Sequence, residues 1–226
     1  MLHRPASLEQ LSAATKRSPI TALLGPRQCG KTTLAGLFAK GQEATFFDME
    51  SVADRRRLQN PELALGGLSG LVILDEIQAV PELFSVLRGL ADRPDPSARF
   101  LILGSASPHI IRHAAETLAG RVEFVELSGF NLSETGSDLL DTLWLRGGFP
   151  RSFLAASDED SFAWREGTCG PIWSEISPNS GSAFRPPRCG DSGPCSPTIT
   201  GRPGMLRSLA APWGFPTRLS GVTWTF

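Results

Sequence analysis

The chain has 226 residues, 41% of them apolar and 20% charged, with a formal net charge of −1. That balance is ordinary for a soluble globular protein of one sizeable domain plus an appendage, and it gives no basis for nonspecific attraction to nucleic acid or membrane surfaces. No apolar run approaches the roughly 18 residues needed to span a bilayer, and Met1 to Gln10 lacks the apolar stretch of a secretion signal, so a cytoplasmic setting is expected.

Leu8, Leu11 and Ala14 recur at helical spacing and predict a short leading helix over Ser7 to Thr15. Ile20 to Leu24 reads as a buried strand. Gly25-Pro26-Arg27-Gln28-Cys29-Gly30-Lys31-Thr32-Thr33 follows, a complete G-x-x-x-x-G-K-T phosphate-binding loop. Glycines in such a loop let backbone N–H groups approach the phosphates of a nucleotide without Cβ clashes. Lys31 adds a point charge at the β- and γ-phosphates, and the Thr32 hydroxyl is a ligand for Mg²⁺. Thr33 to Lys40, with Leu34, Leu37 and Phe38 on one face, predicts the helix whose N-terminus supplies part of the anion site. Strand, loop and helix in this order are the setting the motif requires; a chance glycine-rich turn is the plain alternative. Cys29 occupies a variable position of the loop and reads as a small filler, with a thiol activated by the helix N-terminus as the other reading. The four cysteines form no C-x₂₋₄-C pair, which argues against structural zinc.

Thr45 to Asp48 is the next strand candidate and runs into a polar stretch through Arg57. Leu71 to Asp75 is the continuous apolar run expected of a central parallel strand buried on both faces. It delivers Asp75 and Glu76 at its C-terminal end, where ligands bind in open α/β sheets. There Asp75 would hold Mg²⁺, directly or through water, and Glu76 is the candidate general base for an attacking water. A strand ending in a solvated acidic turn is the alternative. Pro81 to Asp92 predicts a helix with Leu83, Phe84, Leu87, Leu90 and Ala91 on one stripe. Phe100 to Gly104 is another buried strand, and Ser105 just past it is placed to contact a γ-phosphate or the water, unless it merely turns the chain. Ser107-Pro108 caps a helix bearing Ile110, Ile111, Ala114, Ala115 and Leu118. Arg121 precedes a fifth strand, Val122 to Leu127. Its guanidinium is a candidate for stabilising transition-state charge, in cis or from a neighbouring subunit of a homo-oligomer, against a surface salt bridge. Alternating strands and helices predict an α/β fold with a parallel P-loop NTPase sheet covered by helices on both faces. The strand between the two motifs, together with Glu76, favours AAA-like and RecA-like ATPases over small-molecule kinases and GTPases.

Composition changes near Gly167. From there to Phe226 nine prolines and nine glycines fall in sixty residues, with Glu175 and Asp191 the only acids. No helical or alternating period persists, so little patterned surface offsets the backbone entropy of ordering, roughly 1–2 kcal/mol per residue. An unfolded or poorly packed tail is expected.

Several segments follow one another in an order that carries a resemblance: GPRQCGKTT, FFDME, LDEIQAVPELF, LILGSAS, LAGRV, the Leu127-Ser128-Gly129-Phe130-Asn131-Leu132-Ser133-Glu134 stretch and Gly147-Gly148-Phe149-Pro150. From Met1 to about Glu166 the chain resembles a family of prokaryotic AAA-like P-loop ATPases that carry a second domain after the ATPase. The resemblance implies ATP binding by Gly25 to Thr33, metal and water handling by Asp75 and Glu76, a catalytic or sensing role for Arg121, and a sheet order of 5-1-4-3-2. It also implies that Gly147 to Pro150 mark the passage to the second domain.

After Glu166 the family continues with a pattern like T-Y-L-E-R-D-I, whereas this chain reads Gly-Thr-Cys-Gly-Pro-Ile-Trp. A shifted reading frame accounts for the change. Starting at the third base of the Gly167 codon, the degenerate codons permit Y-L-R-T-Y-L-E-R-D-I-P and later a helix-turn-helix-like pattern. Tryptophan has one codon, so Trp213-Gly214 must then give glycine and Trp224-Thr225 aspartate, and the missing tyrosines and charges return. A genuine proline-rich linker or binding tail is the competing explanation. The expected organisation is an ATPase domain over 1–150, the start of a second domain over 151–166, and an out-of-frame tail over 167–226. The expected function is Mg²⁺-dependent ATP binding and hydrolysis, against a nucleotide-binding module without turnover or a truncated product without function. The sequence names no DNA or protein partner.

Overall fold

In the computed structural model, which describes residues 4–94, 97–105 and 108–176, the chain opens with α1 (Pro5–Arg17). Pro5 suits its first turn, Lys16 and Arg17 face its carbonyl end, and Leu11 and Ala14 are buried. β1 (Ile20–Gly25) is buried along its whole length and runs straight into the loop before α2 (Lys31–Phe38). β2 (Ala44–Asp48) follows. The polar stretch that runs on to Arg57 folds into α3 (Val52–Arg57), and α4 (Pro61–Gly66) follows it. Neither helix has an apolar stripe long enough to be read from spacing. Side-chain caps start both: Ser51 accepts from the Asp54 amide, and Asn60 from the Leu63 amide.

β3 (Gly70–Asp75) leads through a 3₁₀ turn, Ile77–Ala79, to α5 (Leu83–Ala91), whose Leu83, Phe84, Leu87 and Leu90 are buried. β4 (Ala98–Ser105), α6 (Pro108–Thr117) and β5 (Val122–Glu126) complete the sheet. Ser107, the expected cap of α6, lies outside the described residues. All strand pairs are parallel, in the order β2-β3-β4-β1-β5, which is the expected order 5-1-4-3-2.

Strand residues alternate between two apolar layers, since successive side chains point to opposite faces. Ile20, Ala22, Leu24, Val72, Leu74, Phe100 and Ile102 pack with Leu83, Phe84 and Leu87 of α5 and with Ala114 of α6. Leu23, Leu71, Ile73, Leu101, Leu103 and Val125 pack on the other face with Leu11 and Ala14 of α1 and Leu34 and Ala35 of α2. Both faces are thus covered, as a parallel sheet demands. The order also puts β1 between β4 and β5, with the β1–α2 loop at the C-terminal edge of neighbouring strands.

Beyond the sheet lie α7 (Leu132–Thr135), a 3₁₀ turn (Ser137–Leu139), α8 (Leu140–Arg146), α9 (Pro150–Phe153) and α10 (Asp158–Ile176). The hydroxyls of Ser152 and Ser161 meet at 2.8 Å and tie α9 to α10. Helix α10 continues to Ile176, ten residues into the stretch that opens the expected unfolded or poorly packed tail. Asp158, Glu159 and Asp160 fill the first turn of that helix, where negative charge is favoured. Once started, a helix propagates cheaply even without an apolar stripe. Residues 177–226, where the rest of that expectation falls, lie outside the described residues. Among the described residues no helix is long and apolar enough to cross a membrane.

Candidate functional site

The loop between β1 and α2 is shaped by close backbone approach. A Cβ on Gly25 would lie 2.1 Å from the Leu127 carbonyl oxygen, so only glycine fits where β1 ends against the exit of β5. Gln28 (φ 65°) and Gly30 (φ 98°) both take left-handed backbone, the kind of curl that turns successive amides toward one concave nest. Pro26, Arg27 and Gln28 form its exposed tip, and Thr32 and Thr33 are exposed on the first turn of α2.

Lys31 is buried, and its Nζ folds back over the loop to donate to the carbonyls of Gly25 (3.0 Å) and Pro26 (2.9 Å). A buried ammonium satisfied only by carbonyls is a strong centre for an anion. Cys29 is fully buried beneath it, and burial pushes its thiol up, against the opposing pull of Lys31 and Arg4. Cys29 is therefore a filler and not an activated nucleophile. Peptide-resolved alkylation at neutral pH is expected to leave Cys29 unmodified in the native protein and to modify it on unfolding; equal rates in the two states would contradict this.

Opposite the loop, β3 delivers the carboxylates. Asp75 Oδ2 accepts from the Thr32 hydroxyl at 2.6 Å, and Oδ1 accepts from the Glu76 amide at 2.9 Å. The Asp75 carboxyl is raised, first by desolvation and further by the charges of Glu76 and Asp48, while the bonds from Thr32 and the Glu76 amide pull it down. Asp48 ends β2 in register with Asp75, and its charge is one of those that raise the Asp75 carboxyl. Asp48 was not singled out from the sequence; its position at the end of a strand, just before a turn, is the signal that could have found it. Among the described residues no three His, Cys, Asp or Glu side chains are close enough to cage a metal by themselves. The pair Thr32–Asp75 does suit Mg²⁺, which takes one or two protein oxygens and completes its shell with water and phosphate.

Glu76 leaves the strand in left-handed backbone, φ 51° and ψ 46°, an uncommon conformation for a residue with a Cβ. That reversal brings Gln78 back beneath it, and Gln78 Nε2 donates to Glu76 Oε2. Ser105 pairs with Gly25 across the β1–β4 register, so the end of β4 lies beside the start of the loop. The structure thus brings together the loop, Asp75, Glu76 and Ser105.

Arg121 is not part of that group. Its carbonyl accepts from the Ile20 amide at 3.2 Å, at the N-terminal end of β1. Five residues of strand, at about 3.3 Å each, separate that point from Gly25 by about 17 Å. Its guanidinium is paired with Asp92, with Nη2 to Oδ2 at 3.0 Å, and holds that carboxyl below its usual range. The salt-bridge reading of Arg121 is the one the geometry supports within this chain, because a residue preceding a parallel strand lies at the edge opposite the loop.

Sequence reasoning also missed Arg4. Its side chain is buried and forms a bidentate pair with Glu134, Nε to Oε1 at 2.7 Å and Nη2 to Oε2 at 3.1 Å. The same guanidinium donates to the carbonyls of Cys29 (3.1 Å), Ser128 (2.9 Å) and Gly129 (3.0 Å). It thereby fastens the back of the phosphate loop to the chain leaving β5 and to α7.

Residues 17–136 match a family model described as an AAA domain. An uncharacterized protein of Mycobacterium bovis and one of Mycobacterium tuberculosis are each 54% identical to this chain over 167 residues, 74% of this chain and 38% of theirs. The chain therefore spans well under half the length of these curated relatives. The Walker-type ATPase of Pyrococcus abyssi shares the fold, with a TM-score of 0.54 at 14% identity over 78% of this chain and 75% of that one.

Proposed function

The chain belongs to the AAA domain family, whose model covers residues 17–136, and from this premise we propose that it binds ATP with Mg²⁺ and hydrolyses it. One observation carries the reading: the 2.6 Å bond from the Thr32 hydroxyl to Asp75, which joins two motifs 43 residues apart. In this reading the amides of Gly25 to Thr33 hold the phosphates, and Lys31 trades its two carbonyl partners for β- and γ-oxygens. Thr32 and Asp75 would hold Mg²⁺, which would supply positive charge against the phosphates. Glu76 takes a proton from the attacking water as the new O–P bond forms and the bond to the ADP oxygen breaks, with Ser105 orienting the water or the γ-phosphate. The protein is read as cytoplasmic, where ATP is supplied.

Lys31→Ala tests the binding step. One charged hydrogen-bonding partner contributes about 1.5–3 kcal/mol, and about 1.4 kcal/mol is a factor of ten, so the Kd for magnesium-ATP is expected to rise by roughly 10- to 100-fold. Without nucleotide the variant should also be less stable, by about 1–3 kcal/mol, because the carbonyls of Gly25 and Pro26 lose their donor. Calorimetric titration checks the affinity and thermal melting the stability; equal affinity in parent and variant removes the assignment.

A second reading, nucleotide binding without turnover, is favoured by the placement of Arg121, about 17 Å along the strand from the loop. It is separated from the first by Mg²⁺-dependent phosphate release from the parent chain. In a homo-oligomer a neighbouring subunit would have to supply the missing guanidinium.

We also propose the domain assignment 1–150 for the ATPase and 151–166 for the start of a second domain, with 167–226 out of frame. The relatives' greater length and the 167-residue extent of similarity support it. Sequencing the DNA around codon 167 tests it: a clean frame, with related genes sharing this tail, would overturn the shift.

A further inference from the structure

Gln78 sits in the 3₁₀ turn Ile77–Ala79 directly after Glu76, and the two ends of its carboxamide meet different surroundings. Nε2 donates to Glu76 Oε2. Oε1 is buried and has no hydrogen-bond partner. It rests against β4, where a Cβ placed on Gly104 would lie 3.1 Å away. Turning the amide over would set Oε1 against the carboxylate, acceptor facing acceptor, and leave a buried NH₂ without a partner instead. The orientation is therefore dictated by Glu76.

A buried acceptor left unpaired costs more than an ordinary hydrogen bond returns. If position 78 served only to pack against Gly104, an apolar side chain of similar volume would do so without that cost. The carboxamide works against the fold at its own position, and its one satisfied bond goes to the candidate base. The left-handed backbone of Glu76 points the same way, because this strained reversal is what lets the side chain two residues on fold back under the carboxylate.

We propose that Gln78 is a positioning residue for Glu76. It holds Oε2, so that Oε1 is the oxygen presented to the attacking water. The water proton passes to Oε1 as the water oxygen bonds to the γ-phosphorus and the electrons of the breaking P–O bond go to ADP; Gln78 itself exchanges no proton. The inference rests on Glu76 being the base.

The test compares Gln78→Met, Glu76→Gln and the double variant in the full chain, by steady-state ATP hydrolysis, magnesium-ATP titration and thermal melting. Methionine keeps the volume against Gly104 while removing the donor. Gln78→Met is expected to lose at least about tenfold in kcat, part of the roughly 10²–10⁴-fold that a positioned base contributes. Nucleotide affinity should be retained and the melting temperature should stay equal or rise. Because Gln78 acts through Glu76, the double variant should be no slower than Glu76→Gln alone. Full kcat in Gln78→Met, or losses that multiply in the double variant, overturns the inference while leaving Glu76 as base. Full turnover in Glu76→Gln, or none in the parent, instead overturns the base assignment and this inference with it.

Discussion

Glu76→Gln is expected to lower kcat by roughly 10²–10⁴-fold, the range a general base contributes, while magnesium-ATP affinity is retained or improves. Glutamine keeps the size of the side chain and still offers an oxygen to Gln78 Nε2, which now donates to Glu76 Oε2, so position changes little and basicity is lost. The left-handed backbone at residue 76 is no worse for glutamine than for glutamate. Affinity responds through charge. The Glu76 carboxylate is one of the influences pushing the Asp75 carboxyl up, and removing it favours the ionised form that a divalent metal needs. Rapid-quench or coupled-enzyme turnover, beside calorimetric binding, checks both halves. Turnover at the parental rate would place the base elsewhere.

Arg4→Ala is expected to be the most destabilising single change outside the apolar layers. The guanidinium and the Glu134 carboxylate are 7% and 4% exposed, so removal of one leaves the other as an uncompensated buried charge, a loss of about 3–5 kcal/mol. The carbonyls of Cys29, Ser128 and Gly129 lose a donor at the same time. Glu134 also closes the cap of α7 by accepting from the Asn131 amide, so the effect spreads into that helix. For a domain of this size the loss corresponds to a fall of about 10 °C in melting temperature. Replacing both Arg4 and Glu134 by apolar residues of similar volume should recover much of it. Denaturant unfolding of the parent, Arg4→Ala and the double replacement measures both the loss and the recovery; a single-variant loss below about 1 kcal/mol, the value of an exposed pair, would show that the pair is not buried in solution.

The parts of this architecture visible in the sequence are those set by local pattern. Leu71 to Asp75 had to be a central strand because it is apolar without alternation, and Gly25 to Thr33 is a contiguous motif with its strand and helix on either side. Gln78 stood in plain view within Leu-Asp-Glu-Ile-Gln, yet its function depends on a backbone reversal at Glu76 that no residue type there announces. Helices α3 and α4 escaped because they are six residues each, start at side-chain caps and bury only Leu65 of α4, too little for an apolar stripe to be read. Arg4 was out of reach altogether: its partners lie 25 to 130 residues away, and such a contact exists only once the sheet has brought the chain's beginning behind the loop. Arg121 shows the converse. Its place before a strand was read correctly, but parallel pairing sends the start of every strand to the edge opposite the loop.

Gly129 and Gly148 lie backbone to backbone, with no room for a Cβ on either, and the Phe130 amide donates to the Gly148 carbonyl at 2.6 Å. Two residues on, Pro150 Cγ would be 3.9 Å from a Cβ on Gly30. Mechanically, the cradle and the outgoing polypeptide share one joint. A side chain at position 148 would meet the Phe130 carbonyl oxygen at 2.3 Å and one at 129 the Gly148 carbonyl at 2.7 Å, so bulk at either position would prise the outgoing chain away from the segment that leaves β5.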